Sequence, residues 1–380
     1  MTDSDAGQRL ATRLAFLCSG MAMSAWAPLV PFVKARLGLD SSELGLLLLC
    51  LGIGSIVAMP FASVLVARFG CRRTVLVAGT LVCLVLPCLA IVPSSFLLGA
   101  CLFAFGAAMG TMDVAMNIQA VVVEQRNGGS LMSGFHGLFS VGGFVGAGAM
   151  ALLLGIGLHV LTATLTVALL VLVALWIARE GYFGAPKAGD GAAPPFVVPH
   201  GAVIFIGLLC FVMFLAEGAV LDWSAVLLAS SGQVSTEQAG MGYAAFAAAM
   251  TLGRLTGDRV VSHFGPKRVM ITGGLLAAAG FFTTVLAPGA IVALAGFMLV
   301  GIGASNIVPI LFTAAGRQRD MPASLAIGAI TTLGYTGILL GPALIGFLAQ
   351  ASSLQAAFGV LGGAMLVVAL CALRPQLYVR

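Results

Sequence analysis

VARFGCRRTVLVAG, Val66 to Gly79, returns 195 residues later as VSHFGPKRVMITGG, Val261 to Gly274. In each copy an apolar run closes on Phe-Gly, a basic pair follows (Arg72-Arg73, then Lys267-Arg268), and a second apolar run begins. A short basic turn between long apolar runs suits a chain that crosses a bilayer, turns at its surface and crosses back. The repeat therefore divides the chain into two like halves.

Composition agrees. Of 380 residues, 60% are apolar and 8% charged, with a mean hydropathy of +1.12, far from the balance of a soluble globular domain. The fifty glycines suit helices that approach closely inside a membrane. The start, MTDSDAGQRLATR, carries two aspartates and two arginines before any apolar run and does not read as a cleavable signal peptide. The eight cysteines lie almost all in apolar runs, without CxxC or Cys/His spacing, and read as packing residues. No cofactor or metal is expected.

A window of ~19 residues, roughly what a ~30 Å hydrocarbon core requires, isolates twelve apolar spans. Their limits are 12–33, 43–66, 74–92, 95–122, 131–155, 160–178, 202–229, 238–261, 269–287, 289–315, 323–349 and 353–373. The expected fold is an all-α integral membrane protein, with twelve transmembrane helices in two six-helix repeats around a central cavity. REGYFGAPKAGDGAAPPFVVPH, Arg179 to His200, is the longest connection. It separates a first half (1–180) from a second (201–380), with 181–200 as a cytoplasmic linker. When the amino terminus is set inside, fifteen of the eighteen Lys and Arg residues fall on inside connections; Lys34 and Arg36 fall outside and Arg254 within a span. Both termini are thus expected in the cytoplasm, and the net charge of +5 reflects topology rather than nucleic-acid binding.

Further pairs recur at nearly the same shift: Ala25-Trp26 with Asp222-Trp223, Gly110/Asp113 with Gly303/Asn306, and Gly142/Gly146 with Gly337/Gly341. Spans three, six, nine and twelve hold no Asp, Glu, Lys or Arg, whereas the unusual polar residues gather on four, five, seven, eight and ten. The uncharged spans are predicted outermost and the others around the cavity. Twelve spans, a 6+6 repeat and paired basic turns resemble the major facilitator superfamily. DVAMNIQAVVVEQRNGGSLMSGFHGLFSVGG and AEGAVLDWSAVLL are similar to the bacterial YbjJ-like inner-membrane group, relatives of the fucose-permease-type carriers. In that superfamily the turn after spans two and eight commonly reads GxxxDRxGRR, a charge latch that helps close the inside. Here Ser63 and Ala67 replace its Gly and Asp, leaving Arg68, Arg72 and Arg73 without a local carboxylate, while the second half offers Asp258 and Arg259 slightly out of register. The resemblance implies that Asp258 contributes to the inward gate, loop solubility being the alternative.

Among the polar residues inside spans, Asp113 in FGAAMGTMDVAMN (Phe105–Asn117) stands out. It lies about nine residues from the inside end of span four, ~14 Å deep at ~1.5 Å per residue, too deep to snorkel. Gly106, Gly110, Asp113 and Asn117 share one helical stripe, a packed seam that gives way to a polar pocket. Intramembrane carboxylates mark ion and proton pathways, so Asp113 is the first coupling candidate; an interhelical hydrogen bond is the alternative. His136, about six residues into span five, is the candidate proton partner, because a carboxylate and an imidazole in contact load and release a proton as hydration changes; a histidine hydrogen-bonded to backbone at the span entrance is the alternative.

Glu217 is the second coupling or substrate-binding carboxylate, and Asp222, on another face and nearer the outer mouth, a gating or structural residue. Arg254 has three possible partners: Asp258 one turn on, the conservative choice; Glu217; or an anionic substrate. Trp26, Trp223 and Tyr335 are aromatic candidates for the cavity, with interfacial anchoring the commoner role of tryptophan. Asn306 keeps hydrogen bonding without charge, which places coupling mainly in the first half.

These readings predict an alternating-access secondary transporter for a small polar solute, sugar-like or organic acid, coupled to protons. Its partners would be that solute, protons and the bilayer of a bacterial inner membrane, with the chain a monomer. Export of amphipathic compounds by proton antiport is the nearest alternative, and a non-transporting receptor a more distant one. No residues support an enzyme.

Overall fold

The computed structural model describes residues 3–39, 41–184, 198–230 and 240–378. Lys187, Arg380 and most of the predicted linker lie outside the described residues. Hydrocarbon offers no hydrogen-bond partners, so a chain this apolar satisfies its backbone within helices. Every regular element among the described residues is helical. The first half holds α1 (Asp3–Ser24), α2 (Val30–Leu37), α3 (Ser41–Ile91), α4 (Ser95–Asn127), α5 (Met132–Gly155) and α6 (Val160–Ile177). The second holds α7 (Ala202–Ser230), α8 (Met241–Phe264), α9 (Pro266–Leu286), α10 (Ala290–Ala304), α11 (Ile307–Arg317), α12 (Ala323–Ala351) and α13 (Leu354–Cys371).

The quoted repeat proves to be one backbone event made twice. Gly70 breaks the 51-residue α3 at φ 78°, ψ 165°, and Gly265 separates α8 from α9 at φ 81°, ψ 150°. L side chains rarely adopt that conformation, which is why both copies read Phe-Gly. Ten helices among the described residues are long and apolar enough to cross a membrane. The 49-residue stretch broken at Gly70 counts once among them, and α8 is not among them. Span ten is one 28-residue stretch, Ala290–Arg317, that divides into α10 and α11 at a two-residue interruption, Ser305-Asn306.

The chain divides into two units. The first comprises Met1–Gly128, Leu138–Val198 and Pro322–Thr332. Within it, α3 lies along α4 and α6, and α1 touches α4 and α6. Glycine lets backbones meet where helices cross: a Cβ at Gly54 would strike the carbonyl of Phe103, and one at Gly106 the carbonyl of Leu51. Gly142 and Gly146 of α5 press likewise on Leu17 and Met21 of α1. The start of the predicted linker folds onto this unit as a strap. Arg72 donates from its backbone N–H to Phe183 O (2.8 Å) and meets the Glu180 carboxylate at 3.1 Å. Gln119 of α4 holds both sides of the strap, donating to Gly181 O (3.1 Å) and accepting from Phe183 N–H (3.0 Å).

The second unit comprises Gly129–Gly137, Pro199–Met321 and Leu333–Arg380. Here α10 packs on α8 and α9, and α13 on α9. Gly337 of α12 presses on the carbonyl of Phe211 in α7, the repeat counterpart of the α1–α5 crossing. In both units the uncharged spans expose apolar stripes: Val77, Leu81 and Leu84 in the second part of α3; Leu165, Leu169 and Val173 on α6; Leu275 and Leu286 on α9; Val360, Val367 and Leu370 on α13. Such faces suit lipid contact.

Gly146→Ala forces a methyl into the Met21 backbone and should lower the thermal midpoint in detergent by the equivalent of about 1–3 kcal/mol. Gly148→Ala meets nothing within 4 Å and should be neutral or gain up to ~1 kcal/mol of helix propensity. Paired melting curves of the two variants check the seam.

Candidate functional site

The densest set of buried polar groups in the second unit is organised by α8. Arg254, with a side chain 9% exposed, reaches α7, where Nη2 donates to both carboxylate oxygens of Glu217 at 3.3 Å. Of the partners open to Arg254 in the sequence, Glu217 forms an ion pair with it across neighbouring helices. Attraction across neighbouring helices is favourable there because neither charge can otherwise be solvated in an apolar bundle.

A third contact comes from the interrupted span. Pro309 has no N–H, so the Ser305 carbonyl four residues earlier lacks its helical donor. Arg254 Nε supplies one at 3.4 Å. Asn306 sits in the interruption at φ −106°, ψ −4°, and donates to Gly253 O (3.2 Å) and Ser305 Oγ (2.9 Å), which ties the broken helix to α8. Its Oδ1 is buried with no hydrogen-bond partner among the described residues. Glu217, Arg254, Ser305 and Asn306 thus join α7, α8, α10 and α11 through polar contacts.

The first turns of α5 belong to the same unit. His136 packs edge-on against Phe312 of α11, ring centroids 5.5 Å apart. Gly137 lets α5 approach α8, where a Cβ would lie 3.1 Å from Leu255 N. Lower on α8, Asp258 Oδ1 accepts from the N–H of Gly134 at 3.1 Å, placing a carboxylate at the positive end of α5. The first unit holds a related contact: Ser63, which stands 195 residues before Asp258, faces Gly328 in the first turns of α12. Ser63 Oγ is buried and unpaired among the described residues.

Asp113 lies in the first unit on the unbroken α4, 8% exposed. Gly106 and Gly110 form the predicted seam against Leu51 and Ser55 of α3. No hydrogen bond or ion pair among the described residues engages the Asp113 carboxylate. Asn117 Nδ2 donates to the Asp113 carbonyl (2.9 Å), and its Oδ1 is buried without a partner. Asp113 and His136 fall in different units.

The remaining candidates separate by environment. Trp26 is 5% exposed and Trp223 lies 3.4 Å from the space a Cβ on Gly346 would take. Both indole nitrogens are buried without partners, a poor match to interfacial anchoring. Tyr335 packs edge-on against Phe214 at 6.0 Å, and Asp222 is exposed. Arg72 serves the strap; Arg68 lies 5.3 Å from the Phe69 ring, and Arg73 is exposed. Among the described residues no set of three His, Cys, Asp or Glu side chains could hold a metal. The sequence reading missed Ser305, Gly134 and Gln119; Pro309, four residues after Ser305, was the available signal for the first.

A family model described as Major Facilitator Superfamily matches residues 13–315 and 206–378. An uncharacterised MFS-type transporter of Yersinia pestis is 55% identical over 363 residues, 95% of this chain and 94% of its own length. Membrane protein MosC of Rhizobium meliloti is 31% identical, over 89% of this chain and 83% of its own. Among solved structures, the E. coli fucose:proton symporter aligns with a TM-score of 0.78 at 16% identity, covering 98% of both chains, a likeness of fold. The helical repeat, the two Phe-Gly turns and these relatives agree that the chain belongs to the major facilitator superfamily of membrane transporters.

Proposed function

We propose that this transporter is a proton-coupled carrier of a small polar solute, sugar-like or organic acid, working by alternating access. The observation that carries the reading is the buried Glu217–Arg254 pair beside the helix interruption at Ser305-Asn306. Discontinuous helices line substrate and ion sites in secondary transporters, because interrupted backbone is tolerated at membrane depth only against protein or a water-filled cavity. An ion pair in that position responds to its ligands. A solute hydroxyl or carboxylate that engages Arg254 weakens its hold on Glu217, and a carboxylate deprived of its cation in an apolar site takes up a proton. Asp113, buried and unengaged among the described residues, is the second proton site. The residual polar valences of Asn306 and Trp223, both in the second unit, suit a solute that carries both donors and acceptors.

Asp258 and the amide of Gly134 serve as an inside latch. The bond joins α8 to the first turn of α5 and is released when that side opens, while Ser63 and Gly328 make the uncharged counterpart. His136, two residues beyond Gly134, moves with the latch and offers an imidazole for proton transfer. The protein works as a monomer in a bacterial inner membrane with both termini in the cytoplasm, an orientation supported by the distribution of Lys and Arg.

Proteoliposome assays against pooled sugars and organic acids should show solute-dependent proton flux in wild type and none in Asp113→Asn. Solute exchange in that variant with intact proton dependence would make Asp113 structural.

Glu217→Gln leaves Arg254 buried without its counter-charge and should cost about 3–5 kcal/mol of stability. Glu217→Gln with Arg254→Gln should recover most of the thermal midpoint but not transport. Recovery of both would reduce the pair to packing.

Asp258→Ala removes a charge–helix-terminus interaction of about 1–2 kcal/mol, so accessibility labelling should shift toward inside-open by about tenfold. Asp258→Asn, which still accepts a hydrogen bond, should shift less. An unchanged distribution in both would remove the latch.

A further inference from the structure

The two basic turns of the repeat are finished differently. In the first unit Arg72 is met by an internal anion, Glu180, whose carboxylate lies at 3.1 Å and whose carbonyl accepts a further bond at 3.1 Å. Gln119 pins the strap that brings Glu180 there, and Phe183 lies under the Arg126 guanidinium at 4.4 Å.

In the second unit Lys267 and Arg268 occupy the places of Arg72 and Arg73. A 3-10 turn and a tyrosine again follow the last helix, Pro375–Leu377 and Tyr378, as Ala178–Gly181 and Tyr182 do in the first. The filling residues are gone. At the 195-residue shift Ala314 stands for Gln119, Pro375 for Glu180, and Arg317 for Val122. What remains is a cavity of about 440 Å³, lined by Lys267, Arg268, Arg317, Ala314, Phe264 and Tyr378 among others, with no acidic side chain among the described residues of its wall. None of its three cations forms an ion pair among the described residues. Its size falls in the ~300–1,000 Å³ range of small-ligand sites.

The geometry points to a binding site for a phosphate-bearing headgroup of an anionic phospholipid at the α8–α9 turn, with Lys267, Arg268 and Arg317 as its cations. Three positive charges around a concave, acid-free wall match a phosphate, which accepts from several donors at once. Depth selects the lipid. The site lies at the end of the bundle where Lys and Arg concentrate, which the charge distribution assigns to the cytoplasmic leaflet, and anionic headgroups there attract exactly such basic clusters at helix ends. Phe264, 53% exposed at the rim, offers an apolar surface to the lipid's glycerol and acyl region. The first unit provides its own counter-ion, and the second takes one from the membrane.

The test uses the full-length chain in detergent, with bound lipid counted by native mass spectrometry and thermal midpoints followed during titration. Probes are phosphatidylglycerol, phosphatidylcholine and inorganic phosphate. Wild type should retain and be stabilised by phosphatidylglycerol over phosphatidylcholine. Each single Gln substitution at Lys267, Arg268 or Arg317 should weaken that binding about fivefold, and the triple variant on the order of a hundredfold. A second variant rebuilds the filler of the first unit: Ala314→Gln with Pro375→Glu should close the site and abolish selective retention with the cations intact. Equal retention of phosphatidylglycerol in the triple variant, or equal retention of the two lipids by wild type, overturns the site. Binding of inorganic phosphate that the triple variant loses, without lipid selectivity in wild type, assigns the cavity to free phosphate and overturns the lipid source.

Discussion

Everything in this protein answers to the cost of a polar group left unpaired in hydrocarbon. The backbone meets that cost by coiling into helices, and the hydroxyls of Thr111, Thr251, Thr331 and Thr332 meet it by bonding the carbonyl one turn back. The same constraint explains why Arg254 is held on two sides. Its guanidinium could not sit at 9% exposure without an anion, and the carbonyl freed by Pro309 could not remain without a donor. Each solves the other's problem, and the interruption of span ten is stable for that reason.

The internal repeat shows how far two copies of one plan have separated. Both halves turn at a positive-φ glycine and cross their first and fifth spans on glycine, so the load-carrying geometry is shared. Polar equipment is not. Asp113 lies in a continuous helix, while its counterpart Asn306 lies in a break; Asp258 meets a helix end with charge, while Ser63 meets one without. Differences of this kind give the two halves different buried chemistry on a shared backbone plan.

Much of the fold was legible because its causes are local. Span length follows from hydrocarbon thickness, the turns from Phe-Gly and basic pairs, and the helix crossings from glycines at regular spacing. The candidate site was legible in its membership and not in its wiring. Asp113, Glu217 and Arg254 stand out in any apolar sequence, since an intramembrane charge is rare. Glu217 stood only as one of three options for Arg254, because an aspartate four residues along the same helix is close in sequence and the glutamate on another helix is close only in space. The strap at the start of the predicted linker was not legible for the same reason: Tyr182 and Phe183 lie in a Gly- and Pro-rich stretch, and their partners Gln119 and Arg72 are more than sixty residues away.

The sequence by itself determined that the chain is a helical membrane protein of two related halves, because hydropathy, charge asymmetry and repeat are properties of the chain before it folds. Only the tertiary structure decided which charges neutralise one another, where a helix breaks to expose a carbonyl, and which basic turn keeps an open cavity. Those outcomes depend on distances of a few ångströms between segments remote in sequence, where Coulomb energy and hydrogen bonding fall off too steeply for order along the chain to reveal them.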